Sequence, residues 1–125
     1  MMTKERLHVG KKGEDLALER LEKLGYRSIA RNYRCSLGEV DLIAMDGDTL
    51  VFVEIKTRRG RSPGYAKEAI DKRKQRQLSK VALAYMKTNG CCDVRSRFDV
   101  VAINLNRAED QIEIVKNAFD LAYGE

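Results

Sequence analysis

Hydrophobic positions change their period several times along the chain, and each change marks an element. From about Lys4 to Leu24, Ala17, Leu18, Leu21 and Leu24 recur at three- and four-residue spacing, which predicts a helix with these four facing the core. Gly25 is a natural residue to end it. Tyr26 to Arg34, with Ile29 and Tyr33, fits a strand. A second strand fits Glu39 to Met45 and a third Leu50 to Thr57. Asp46-Gly47-Asp48 lies between the last two, and a glycine there accepts positive φ without steric cost, so the two form a hairpin.

Two glycines and the only proline make Arg58 to Gly64 a loop. From Tyr65 to about Thr88 the pattern is helical again. Ile70, Leu78, Val81, Ala82 and Tyr85 share one face, and Asn89-Gly90 closes the helix. A strand from Arg97 to Asn104 follows, then a shorter one from Ile112 to Val115. A half-buried helical turn is expected at Ala118 to Tyr123. The order α-β-β-β-α-β-β is that of an α/β protein, a mixed central sheet flanked by helices. No repeat or linker interrupts the 125 residues, which form a single domain, 1–125.

Composition narrows the class. The chain is 43% hydrophobic and 34% charged, which supports a compact core under a charged surface rather than a disordered chain. No apolar run approaches the roughly 20 residues of a membrane-spanning helix, so no membrane partner is expected. The basic N-terminus has no apolar segment behind it, and no secretory signal is visible. Cys35, Cys91 and Cys92 are an odd set with two adjacent members, ill suited to a disulfide framework or a zinc site. Reduced thiols and a cytoplasmic location follow as expectations. The net charge of +5 suits a polyanionic partner.

Chemistry concentrates in the hairpin. In Val51-Phe52-Val53-Glu54-Ile55-Lys56, strand alternation sends Val51, Val53 and Ile55 one way and Glu54 and Lys56 the other. By the same rule Glu39 and Asp41 share a face opposite Val40 and Leu42. A hairpin loop with an even number of residues puts Glu39, Asp41, Glu54 and Lys56 on one side. A two-residue loop sets Asp41 opposite Phe52, diagonal to Glu54; a four-residue loop sets it directly opposite Glu54. Carboxylates so crowded repel one another unless neutralised. Mg²⁺, or Mn²⁺ in its place, suits such an oxygen-rich site. A lysine beside it can orient an attacking water and offset charge on a phosphorane-like transition state, which is the chemistry of phosphodiester hydrolysis. The plainer alternative is a solvated sheet face with Glu54–Lys56 a weak surface pair. Against it, Val51-Phe52-Val53 reads as a central strand. Glu14 also precedes Leu18 by four residues and Leu21 by seven, on the apolar stripe of the first helix.

Basic residues surround this centre. The second helix carries Lys67, Lys72, Arg73, Lys74, Arg76 and Lys80, and the loop before it Arg58, Arg59 and Arg61. A basic rim beside an acidic patch is the layout that phosphate-backbone binding needs. Aromatic residues are only 6%, so base stacking on a single strand is not suggested.

Gly38-Glu39-Val40-Asp41-Leu42-Ile43 followed by Val51-Phe52-Val53-Glu54-Ile55-Lys56-Thr57-Arg58 resembles the D…(E/D)xK signature of the PD-(D/E)XK nuclease superfamily. More narrowly, the chain resembles the YraN-type family of bacterial proteins, which is similar to archaeal Holliday-junction resolvases. Gly10-x-x-Gly13-Glu14, Arg31-Asn32-Tyr33-Arg34, Lys74-Gln75 and Arg97-Phe98-Asp99-Val100-Val101 extend the resemblance over nearly the whole chain. It implies a restriction-endonuclease-like αβββαβ core, with Asp41 and Glu54 as metal ligands and Lys56 as the catalytic lysine. Glu14 would be the acidic residue of the first helix and Gln75 a polar residue approaching the site. Arg31, Arg34, Arg58, Arg59, Arg61, Arg73 and Lys74 are the expected nucleic-acid contacts. Val40 stands where the superfamily name has proline. The implied activity is Mg²⁺-dependent endonucleolytic cleavage of DNA, branched or structured DNA included. The alternative is a catalytically inactive nucleic-acid-binding module of the same fold. Relatives that cut junctions work as dimers, which brings a homodimer into view.

Overall fold

The computed structural model describes residues 4–59, 70–106 and 109–121, with side chains from residue 10 onward. Helix α1 (Lys4–Lys23) leads into strands β1 (Arg27–Cys35), β2 (Gly38–Asp46) and β3 (Thr49–Arg59). Helix α2 (Lys72–Thr88) then carries the chain to β4 (Ser96–Leu105) and β5 (Gln111–Phe119). The five strands lie in sequence order in one sheet. β3 and β4 run parallel, as a helical crossover permits, and every other pair is antiparallel. The expected α/β order and a mixed sheet with two helices are therefore observed, and β3 is its central strand.

Strand alternation divides the core. Leu50 and Phe52 of β3 pack with Leu78, Val81, Ala82 and Met86 of α2. Val51 and Val53 pack with Ala17 and Leu21 of α1. The helices thus cover opposite faces, and β3 is apolar on both sides, as a central strand must be. Among the described residues no helix is long and apolar enough to cross a membrane. The three cysteines are free thiols.

Three local expectations need correction. Leu24 is 52% exposed, because α1 ends one residue earlier. There Gly25 takes φ +97° and the Tyr26 N–H donates to the Leu21 carbonyl, so buried Tyr26 fills the place expected for Leu24. The second helix starts at Lys72: Asp71 is extended and its carboxylate accepts the Lys74 N–H at 2.8 Å, an N-cap. Ile70 is buried against α2 without being helical, and 65–69 lie outside the described residues. Ala118 and Phe119 belong to β5, not to a helical turn. The Phe119 ring stacks on Phe98 at 4.6 Å and holds that end of the strand extended; Tyr123 lies outside the described residues.

At the hairpin end of the sheet, charge is buried but fully partnered. Asp99, 1% exposed, accepts hydrogen bonds from Tyr26 Oη (2.6 Å), Arg97 Nε (2.9 Å) and the Asn117 N–H (3.0 Å). Arg97 also reaches Asp46 at 2.6 Å. This network ties α1's exit, the β2–β3 turn, β4 and β5 together. Paired in this way, a buried carboxylate avoids the cost of an uncompensated charge. The guanidinium of Arg97 and Lys116 hold the Asp46 carboxyl below its usual range.

α1 sits close on the sheet. A Cβ at Gly13 would lie 1.8 Å from Thr57 Oγ1 and 2.7 Å from its Cβ and Cγ2. Helix propensity alone favours Gly→Ala by about 1 kcal/mol, whereas overpacking costs ~1–3 kcal/mol. Thr57 is β-branched and held in a strand, so it yields little. Gly13→Ala is therefore expected to lose roughly 1 kcal/mol or more in urea unfolding. Adding Thr57→Ala should return part of it; strictly additive losses would mean that the two positions do not touch.

Candidate active site

The site forms where β2 and β3 stop pairing. The turn is Gly47-Asp48, with Asp46 opposite Thr49, and the ladder runs to Leu42 opposite Val53. One further step along this register is Asp41 opposite Glu54. That opposition was expected only from a four-residue loop; a two-residue turn placed one residue later produces it. At this step the Asp41 carboxylate accepts the Ile55 N–H at 2.7 Å. A side chain takes up the backbone donor, and the strands open around an acidic pair.

The neighbouring pair β1–β2 rotates at the same row. Val40 packs on the α2 side and Leu42 on the α1 side, although residues two apart on a regular strand share a face. Their partners behave alike: Tyr33 packs edge-on to Tyr85 of α2, while Arg31 bonds Asp15 of α1 at 3.1 Å. Between them Asn32 has φ +51°. The expectation that Glu39 joins the patch with Asp41 fails for this reason. Glu39 is exposed and its carboxylate accepts from Arg34 Nε at 2.7 Å.

Glu54 is 4% exposed. Burial, then the hydrogen bond to Asp41 and the charge of Asp41, push its carboxyl up to about 8. Two lysines oppose that rise: Lys74 Nζ at 3.5 Å and Lys56 Nζ at 4.0 Å from Oε2. Glu14 enters from α1, brought against β3 by the close contact at Gly13. Its carboxyl is raised by burial and next by the charge of Asp41, with Arg31 and an Asn32 hydrogen bond pulling the other way. Carboxylates from α1, β2 and β3 thus feel one another across the open end of the ladder.

Lys74 was expected as a phosphate contact, and its ammonium stands nearer Glu54 than that of Lys56. The signal was present in the spacing: Lys74 precedes Leu78 by four residues and Val81 by seven, as Glu14 precedes Leu18 and Leu21. Gln75 follows another course. Its side-chain amide donates to the Ile70 carbonyl at 3.2 Å, bracing the start of α2. Of the expected nucleic-acid contacts, Arg31 and Arg34 are occupied by Asp15 and Glu39. Arg58 and Arg59 end β3, Arg73 is exposed on α2, and Arg61 lies outside the described residues.

The donors suit a hard cation within limits. Among the described residues no three His, Cys, Asp or Glu side chains are gathered tightly enough to hold a metal ion. Two carboxylates are paired, Asp41 and Glu54, and one or two suffice for Mg²⁺, which keeps several waters. A desolvated acid pair held together by a proton is where a divalent cation would gain most.

That proton gives a measurable pH dependence. Without cation, folded Glu54 keeps its proton up to about 8, whereas an ordinary glutamate releases it near 4.5. The contribution of this raised group to folding is complete below about 4.5 and is lost as pH rises to about 8. Glu54→Gln has nothing to ionise and keeps a donor for Asp41. In chelator it should therefore resist urea better than the parent at pH 9, by on the order of 2 kcal/mol. At pH 4 the two should match. An equal difference at both pH values would remove the buried carboxyl as its cause.

The site lies within a span that resembles other proteins. Residues 13–103 match the family model described as uncharacterised protein family UPF0102. A UPF0102 protein of Geobacter sulfurreducens is 53% identical over 116 residues, covering 92% of this chain and 91% of the relative. One from Syntrophus aciditrophicus is 48% identical over 118 residues, covering 94% and 93%. Another, from Caldicellulosiruptor saccharolyticus, is 46% identical over 113 residues, covering 89% and 96%. With the matched span running from Gly13 on α1 through Asp41, Glu54, Lys56 and Lys74 to β4, the chain belongs to the UPF0102 family.

Proposed function

We propose that the protein is a Mg²⁺-dependent nuclease, Mn²⁺ serving in its place, that hydrolyses phosphodiester bonds of DNA. The observation that carries this reading is buried Glu54 paired with half-buried Asp41, with two lysine ammonium groups at 3.5 and 4.0 Å from Glu54. A structural ion pair needs one lysine; a second cation beside a paired acid suits a site that must also meet a phosphate. Its likeness to the PD-(D/E)XK signature points the same way.

Asp41 and Glu54 would hold the cation, which supplies Lewis-acid polarisation of the phosphoryl group and a more acidic water. The remaining steps fall to this chain's own groups. Lys56, 40% exposed with its Nζ 4.0 Å from Glu54, would orient the attacking water. Lys74, more buried, offsets charge that builds on the non-bridging oxygens. Glu14, with its raised carboxyl, is placed to exchange a proton with water at the edge of the site. Water gives up a proton to solvent as its oxygen bonds to phosphorus, the P–O ester bond breaks, and the departing oxygen takes a proton from solvent. The location this reading favours is the cytoplasm, where DNA and free thiols coexist.

Purified protein incubated with linear, flap and four-way-junction DNA should cut in the presence of Mg²⁺ or Mn²⁺ and stop in chelator. Asp41→Ala and Glu54→Ala should each lower the rate by on the order of 100-fold or more, and Lys74→Ala by a smaller factor. Cleavage that persists in both carboxylate variants would defeat the assignment. Binding without any cleavage would leave the non-catalytic module.

A further inference from the structure

A cleft of about 590 Å³ opens between the β1–β2 turn and α2, beside the carboxylate site. Ser36 and Leu37 form one wall; Arg73, Lys74, Arg76 and Lys80 form the other. Its depth depends on Gly38. This residue has φ +143°, and a Cβ there would meet the Gln77 side chain at 2.8 Å, so the turn lies against the helix. Asp71 is the one carboxylate lining the cleft, and its Oδ1 is engaged by the Lys74 N–H. Among the described residues no carboxylate lies within ion-pair distance of Arg73, Arg76 or Lys80. Three cations facing an open cleft without counter-charges are a site for an anion.

Spacing tells which kind. Arg73, Arg76 and Lys80 stand at i, i+3 and i+7, one stripe of the helix. Seven residues at ~1.5 Å span about 10 Å. Successive phosphates of one strand are a whole nucleotide apart along the backbone, well beyond the ~3.4 Å rise on a duplex axis, so the stripe covers about two. Lys74 belongs to the cleft wall and also lies 3.5 Å from Glu54, so the cleft leads into the carboxylate site. No aromatic ring lines it, and Leu37, 47% exposed, is its only large apolar group. Phosphates are held and bases are not read.

We propose that this cleft is the track for one DNA strand, gripping about two consecutive phosphates through Arg73, Arg76 and Lys80 and presenting the next at Lys74 and Glu54. The choice of DNA rests on the nuclease reading above; the grip itself needs neither cation nor cleavage.

Fluorescence anisotropy of a labelled single-stranded oligonucleotide in chelator tests it, across a salt series and with two unrelated sequences. The parent should bind both sequences alike. The double variant Arg76→Ala/Lys80→Ala should bind at least 10-fold more weakly, with the log–log salt slope smaller by about 1.4, two contacts at ~0.7 each. Lys87→Ala, on the same helix but outside the cleft, should stay within about 2-fold, and thermal melts should show all variants folded. Unchanged affinity and slope in the double variant would overturn the track. So would displacement of the oligonucleotide by equimolar inorganic phosphate, the mark of a small-anion pocket. Cation-free binding that depends on Arg76 and Lys80, in a protein that never cuts, would sink the nuclease reading and keep the track. Cutting that ignores these two residues would do the reverse.

Discussion

The hydrogen bond from the Ile55 N–H to the Asp41 carboxylate is the constraint on which the site turns. A central hairpin would ordinarily pair its strands throughout, because an unpaired backbone donor in a core is costly. Here a side chain meets that need, so the ladder ends at Leu42 opposite Val53 without leaving a donor unsatisfied. Two consequences follow from one bond. Asp41 is fixed against the strand that carries Glu54, and the row opens to admit Glu14 from one helix and Lys74 from the other. The rotation of β1 and β2 at Asn32 belongs to the same event, since it carries Tyr33 and Val40 onto α2 and frees Asp41's flank.

The sheet therefore has two charged ends with opposite character. At the hairpin end, Asp99, Arg97, Asp46 and Tyr26 satisfy one another in a closed network. Such a network fixes geometry and leaves nothing over for a ligand. At the opened end Glu54 is buried with a raised carboxyl, its two lysines at 3.5 and 4.0 Å, beyond good hydrogen-bonding distance. A carboxyl buried with so little compensation keeps its proton rather than a charge. The first end supplies rigidity, and the second is the end where the proposed cation would replace that proton. Gly13 couples them mechanically: it lets α1 press on β3 at Thr57 while Tyr26, just past the end of the same helix, is held by Asp99.

Much of this was legible in the sequence, and the rest was hidden for specific reasons. Period-two alternation in Val51–Lys56 separates Glu54 and Lys56 from the apolar side chains whatever lies around the strand. The spacing of Glu14 to Leu18 and Leu21 likewise survives folding. Register was harder, because Asp46-Gly47-Asp48 supports two different two-residue turns, and choosing between them moves Asp41 by two residues against β3. The fate of Glu39 depended on a backbone rotation at Asn32, a residue whose tolerance of positive φ is a permission and not a signal. Asp71 reads as one more polar residue in a helical pattern until its carboxylate is seen on the Lys74 N–H. Phe119 stays in a strand because Phe98, 21 positions away, stacks on it. Long-range contacts of that kind leave no local trace.

The placement of charge also bears on how strand and cation would bind together. In the proposed complex the acidic site would repel an arriving phosphate, and the cleft's cations would attract it from the side. A phosphate drawn to Lys74 adds negative potential at Glu54 and so favours any cation there; a cation at Asp41 and Glu54 cancels the repulsion that the phosphate meets. Each favours the other by the same free energy, because coupling between two binding events is reciprocal. Lys74 is the residue through which such coupling would run, being at once a wall of the cleft and the nearer of the two ammonium groups to Glu54. Without a strand, its charge competes with the cation for that carboxylate. With a strand, it is shared with phosphate and its hold on Glu54 weakens. Under the proposed function, a lysine in this position would make the acidic pair a poorer cation site in the free protein and a better one once DNA lies in the cleft.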